Sequence, residues 1–388
     1  MSTEEITVNV KFAKRLSIAV GAAAMGTVLI TGTAQADPPS GQFRELVGVG
    51  SDTTQDVLNG LGNVIVDPNG SPNHLLIASY DAVNPSTGVP HECIVVRSGH
   101  TCITRPNGSG EGIAALNADI AANAGNLDFA RSSSGVTTAG SNLTWIPFAE
   151  DAVTAAVKTG STLPANLTYS ATATTNAQKS LYDLNRVYNC LDTNGNPLAA
   201  GVFPTINGVT VHPLVPQPGS GTRKFWAQKL GFDATTLPSC VSDHAKDGTQ
   251  VEEHDGSGLQ RTIAADGSED ITPFSIAQYI AQSNSATTGV RNRINGAVLE
   301  SVNSTAPTTG SPATLNPAFP INRPVYNVVK TSRLTEADIK LAFVNTAANP
   351  LTDPNTSKIC QNGATITKFG FAQLPAGSCG TTTLTGNS

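Results

Sequence analysis

Apolar positions along this chain recur with two periods, and the two periods take turns. Residues 45–49 alternate like a strand and run into Gly50-Ser51-Asp52-Thr53-Thr54, after which Val57, Leu58, Leu61, Val64 and Ile65 fall at helical spacing. Residues 75–80 read as a second strand. The stretch from Arg105 through Asn107-Gly108-Ser109-Gly110 to Gly112 opens a helix carrying Ile113, Leu116 and Ile120. Leu127-Asp128-Phe129-Ala130 is short and apolar enough for a buried strand that ends at Arg131-Ser132-Ser133-Ser134, and residues 151–157 form another. Farther on, 180–188 is helical and 209–215 is a strand that feeds Pro218-Gly219-Ser220-Gly221-Thr222-Arg223 and a helix. Residues 273–282 and 335–344 follow as helices, with a strand over 326–330 between them. The polar, glycine-rich stretch 243–270 reads as loop, and the Thr- and Gly-rich tail beyond Cys379 as frayed. Repeated strand–loop–helix units predict an α/β layer structure with a largely parallel sheet.

The N-terminus changes the setting. Lys11, Lys14 and Arg15 precede an apolar run over 16–30, and Ala34-Gln35-Ala36 fits a cleavage site before Asp37. Residues 1–36 are therefore expected to be a signal peptide, and the mature chain to be exported and soluble, extracellular or in the cell envelope. No cysteine follows the apolar run to carry a lipid anchor. The six cysteines agree with export, because an even number in an oxidising compartment implies disulfides. Short separations favour Cys93 with Cys102 and Cys360 with Cys379, which leaves Cys190 with Cys240; other pairings remain open. The length suits two domains. A net charge of −6 argues against nucleic acid, which rewards basic patches.

Candidate chemistry lies in four loops: Ser51 to Thr54, Arg105 to Gly112, Arg131 to Ser133, and Gly219 to Arg223. Each is rich in glycine and hydroxyls, and three open helices. Unpaired amides of a first helical turn, its partial positive charge and nearby hydroxyls together suit an oxyanion. In open α/β sheets such loops gather beyond the carboxyl ends of the strands. Plain helix capping accounts for any one of them alone.

The order of these loops resembles the periplasmic phosphate-binding protein family, the substrate-binding components of phosphate ABC transporters with a type 2 periplasmic-binding-protein-like fold. Gly48-Val49-Gly50-Ser51-Asp52-Thr53 is similar to the family's first phosphate loop, and Gly108-Ser109-Gly110 to its second. Asp128-Phe129-Ala130-Arg131-Ser132-Ser133 is similar to its third, and Gly219-Ser220-Gly221-Thr222 matches its fourth. The resemblance implies a two-domain α/β fold with two hinge crossings and a ligand cleft between the domains. The crossings are expected near Val157 and Val328, giving domain one as 42–157 plus 328–388 and domain two as 158–327. It also implies a non-enzymatic receptor without cofactor or metal, likewise monomeric, that binds phosphate or a related oxyanion for an ABC importer. The expected phosphate ligands are Ser51, Asp52, Thr53, Ser109, Arg131, Ser132, Ser133, Ser220, Gly221 and Thr222.

Two charges depart from the family pattern. Ser133 stands where the third loop carries a carboxylate, and Pro216 where an arginine precedes the fourth. Asp52 is the candidate replacement for the acid, with helix capping as its alternative role. Arg131 is the candidate cation, with Arg105 second. The run Glu252-Glu253-His254-Asp255 lacks metal-ligand spacing and is expected to be a solvated loop. Without a G-x-S-x-G elbow an α/β-hydrolase is not indicated. The missing charges and the missing anchor leave one alternative function: a secreted surface or matrix protein on the same fold, without small-anion transport.

Overall fold

Ten strands build one mixed sheet in the computed structural model, which describes residues 37–68, 70 and 74–388. The expected signal peptide lies outside the described residues. The strands are β1 (Leu46–Gly50), β2 (Ile77–Ser79), β3 (Phe129–Ser132), β4 (Leu143–Lys158), β5 (Thr205–Ile206), β6 (Val209–Pro213), β7 (Ser268–Ser275), β8 (Ala297–Leu299), β9 (Asn322–Lys330) and β10 (Leu384–Gly386). Their order is β2-β1-β3-β9-β4-β7-β6-β5, with β8 and β10 also paired to β4. Helices α1 (Gln55–Gly62), α2 (Ser109–Ala122), α3 (Gly221–Leu230) and α4 (Ile276–Ser283) follow the ends of strands or loops.

The α/β class agrees with the sequence, but the sheet is not largely parallel. β1 pairs in parallel with β2 and β3, and β7 with β6; the remaining pairings are antiparallel. The cause is the long strand β4, which borders β9, β7, β8 and β10 in antiparallel register. The tail is also not frayed: Leu384 pairs with Trp145 and Gly386 with Leu143.

Strand periodicity sets the core. Leu46, Phe129, Ile146, Phe148, Val325 and Val329 face one apolar cluster. Their neighbours Val47, Val49, Ala130, Trp145 and Val328 face another on the opposite side. Burial on both faces explains why these strands are apolar runs more than strict alternations. Farther along β4, Ala152, Val153, Ala155 and Val157 join a third cluster with Trp226, Ile271 and Ile321. β4 thus changes cores between Ala149 and Ala152, and the β9 side does so between Ile321 and Val325. Disulfides join Cys93 to Cys102, Cys190 to Cys240 and Cys360 to Cys379. No helix among the described residues is long and apolar enough to cross a membrane.

Candidate anion-binding site

The four loops meet. Gly108, at φ +119°, precedes α2, and a Cβ there would lie 2.8 Å from the Gly219 carbonyl. Only glycine permits that approach, and it lets the Gly110 amide donate to the same carbonyl at 2.9 Å. Gly221 opens α3 with equally little room: its Cβ would lie 2.2 Å from Ser109 Oγ and 2.3 Å from Ser133 Oγ. The Ser109 hydroxyl accepts from the Ser133 amide at 3.0 Å and lies 3.3 Å from Ser133 Oγ. Thr53 Oγ1 lies 3.2 Å from Ser133 Oγ and 3.3 Å from Thr222 Oγ1. Thr53, Ser109, Ser133, Ser220 and Thr222 are all fully buried.

A cation joins them that the sequence reading missed. Arg323, 2% exposed, sits opposite Asp151 in the β9–β4 register. Its Nη2 donates to Asp151 Oδ2 at 2.8 Å, to Thr222 Oγ1 at 3.0 Å and to Thr53 Oγ1 at 3.4 Å. Its Nη1 donates to the Ser133 carbonyl at 3.0 Å. Asp151 is held from its other side by the Ser275 hydroxyl at 2.8 Å and the Ala277 amide at 3.1 Å, in the first turn of α4.

The run 252–255 is not a solvated loop. Glu253 and His254 are buried at 0% and 1% exposure because both side chains reach the junction. Glu253 accepts from the Ser220 hydroxyl, from the Thr222 amide at 3.2 Å and from Thr53 Oγ1 at 3.2 Å. Burial alone would raise its pKa; the neighbouring His254, the hydrogen bond from Ser220 and the charge of Arg323 outweigh it and hold the carboxyl below the usual carboxylate range. His254 Nδ1 accepts from the Ser275 amide at 3.2 Å. A neutral imidazole in that bond carries its hydrogen on Nε2, so Nε2 donates to Thr53 Oγ1 at 2.9 Å.

Asp52, Glu253 and His254 present ligating atoms within 4.8 Å of one another. In the tautomer that donates to Thr53, Nε2 offers no lone pair to a metal and takes no proton from Thr53.

Several expected ligands and candidate cations are committed to other groups of the protein. Arg131 is fully buried, but its guanidinium turns to the carbonyls of Ser51 at 3.2 Å and Gly50 at 3.0 Å and to Ser79 Oγ at 2.9 Å. It braces the first loop from behind by holding that loop's own carbonyls. Asp52 is paired with Arg293, whose Nη2 lies 3.0 Å from Oδ1 and 3.1 Å from Oδ2. The Ser132 hydroxyl closes its own turn on the Ser134 carbonyl at 2.7 Å. Arg105 pairs with Asp37 at 2.6 Å. Ser51 Oγ is buried without a hydrogen-bond partner.

No family model and no curated protein matches the chain. Solved structures with a similar arrangement include a phosphate ABC transporter substrate-binding protein with bound phosphate from Clostridium perfringens, 15% identical, covering 85% of this chain and 99% of that one, at a TM-score of 0.45. An ABC-type phosphate transport receptor from Vibrio cholerae is 13% identical over 85% of this chain and 100% of its own, at a TM-score of 0.43. A human phosphate binding apolipoprotein is 15% identical over 85% and 91%, at a TM-score of 0.38.

Proposed function

We propose that this chain is an exported binding protein, not an enzyme, that takes a tetrahedral oxyanion of the phosphate class where the four loops meet. One observation carries the reading. Thr53 Oγ1 has five polar neighbours within 3.4 Å: Ser133 Oγ, Thr222 Oγ1, Glu253 Oε2, His254 Nε2 and Arg323 Nη2. A hydroxyl serves three bonds, one as donor and two as acceptor. Five neighbours cannot all bond to it at once, so the converging hydroxyls and the Arg323 guanidinium can turn to another acceptor. A small ligand with four oxygens and negative charge is such an acceptor, and the loop resemblance selects phosphate among such ligands.

The reading includes two lobes joined by β4 and β9 and closing on the ligand by hinge motion, with the crossings where those strands change cores, at 149–152 and 321–325. The ligands would be Thr53, Ser109, Ser133, Ser220, Gly221, Thr222 and Arg323, with Ser51 offering a free hydroxyl. An exported receptor of this kind serves an ABC importer as a monomer.

A second reading, a surface or matrix protein without a small ligand, is favoured by the presence of the Glu253 carboxylate among the donors. Melting the mature chain with phosphate, sulfate or chloride at matched ionic strength separates the two, because a ligand of the folded state raises Tm by mass action. Phosphate raises Tm under the first reading, and no anion does so under the second.

A further inference from the structure

We infer that Glu253 is an internal ligand of the anion site: its carboxylate holds donors that an external oxyanion would use, so that binding displaces it. The inference rests on the oxyanion reading above.

The contacts of Glu253 are those of a bound anion. Its oxygens meet the Ser220 hydroxyl, the Thr222 amide at 3.2 Å, Thr53 Oγ1 at 3.2 Å and His254 Nε2 at 3.4 Å. Ser220 caps α3, Thr222 lies in its first turn, and Thr53 belongs to the first loop. Among the described residues no Lys or Arg lies at ion-pair distance from this carboxylate; its one such contact is His254. A buried carboxylate ordinarily requires a cation. Here hydroxyls and a helix end do that work, with the charge of Arg323 behind them. These are the groups on which the oxyanion reading depends.

The competition is one of valence. Thr53 already serves more neighbours than a hydroxyl can bond, so an external anion and Glu253 cannot both hold it. Displacement is local. Glu253 lies in a stretch whose regular structure near it is the short turn Gly256–Gly258. It is tethered by the Glu253 amide to Gln217 Oε1 at 3.1 Å, by Asn107 to Glu252 at 3.0 Å and by Gln282 to the His254 carbonyl at 3.0 Å. Because its pKa is held below the usual carboxylate range, the carboxylate competes as an anion throughout the neutral range.

The test is a calorimetric titration of the full mature chain with inorganic phosphate, beside Glu253→Gln and Glu253→Ala. Removing the competing charge is expected to tighten phosphate binding about tenfold or more, the worth of one lost charged contact. Hydrogen exchange of the unmodified chain gives an independent readout that needs no variant to fold. With phosphate, amides over 248–262 should exchange faster while those over 105–112 and 218–226 slow. If the unmodified chain binds phosphate and Glu253→Gln binds no tighter, or if 248–262 is protected with the rest, the inference is overturned and the oxyanion reading stands. If neither the chain nor either variant binds phosphate, both fall.

Discussion

Arg323 and Asp151 face each other directly across the β9–β4 pair, and their ion pair, at 2.8 Å, is aimed at the hydroxyls of Thr222 and Thr53. Directly opposed residues of an antiparallel pair share a face, so the register alone delivers both charges to the junction. They also lie where β4 and β9 pass from one apolar core to the next. The same pair thus bridges the sheet and places a cation beside the candidate site. Arg323→Met should abolish phosphate binding and lower stability by about 3–5 kcal/mol, because it strands a buried carboxylate. Adding Asp151→Asn should recover most of the stability and none of the binding. Denaturant unfolding with calorimetry on both proteins checks this.

Arg131 and Asp52 should behave differently. Arg131 bonds to the carbonyls of Ser51 and Gly50 and to Ser79, so Arg131→Met should cost about 3 kcal/mol of stability as charged hydrogen bonds are lost. Asp52 is committed to Arg293 at 3.0 Å, so Asp52→Asn should leave the ratio of phosphate to sulfate affinity unchanged. Paired titrations of the two anions measure that ratio.

The close packing at α3 gives a sharper steric test. A methyl at Gly221 would fall 2.2 Å from Ser109 Oγ and 2.3 Å from Ser133 Oγ. Gly221→Ala should therefore push the second and fourth loops apart, with loss of anion binding and a destabilisation of about 1–3 kcal/mol from overpacking. Thermal melts and phosphate titration of the variant read both effects.

Much of this site was legible locally. Glycine and hydroxyl loops announce themselves in consecutive residues, and Thr53, Ser109, Ser133, Ser220 and Thr222 came together as their loops suggested. Arg131 was misjudged because adjacency in sequence is not direction: its guanidinium is taken up by the backbone carbonyls of Gly50 and Ser51 beneath the first loop. Arg323 and Glu253 were missed because they arrive through tertiary pairing, 270 and 200 residues from Thr53. A signal for Arg323 did exist. Asp151 opens an otherwise apolar strand segment, and a buried carboxylate there demands a cation. The run at 252–255 carried no such mark, since polar residues in a glycine-rich stretch look the same whether they face water or a buried hydroxyl. The sheet's mixed direction was illegible for a related reason: apolar runs report burial on both faces and not the sense of pairing.

Asp56 makes the pH behaviour testable. Burial raises its pKa to about 6, opposed by the hydrogen bond from Gln278. A carboxyl with a folded pKa above its unfolded value keeps its proton longer when folded, so the stability it contributes is present at low pH and lost as pH rises from about 4 to about 6. Asp56→Asn still accepts a hydrogen bond and never ionises. It should flatten the stability profile across that window and stabilise the protein at pH 7 by on the order of 1 kcal/mol. Urea unfolding of both proteins over that pH range checks it.

The account stands most directly on a titration of the unmodified mature chain with inorganic phosphate, followed by calorimetry, with sulfate and chloride as controls. It predicts one saturable phosphate site per chain that is lost in Arg323→Met/Asp151→Asn while the fold persists. A chain that folds normally and binds no phosphate at millimolar concentration, or binds it equally well without Arg323, would contradict it.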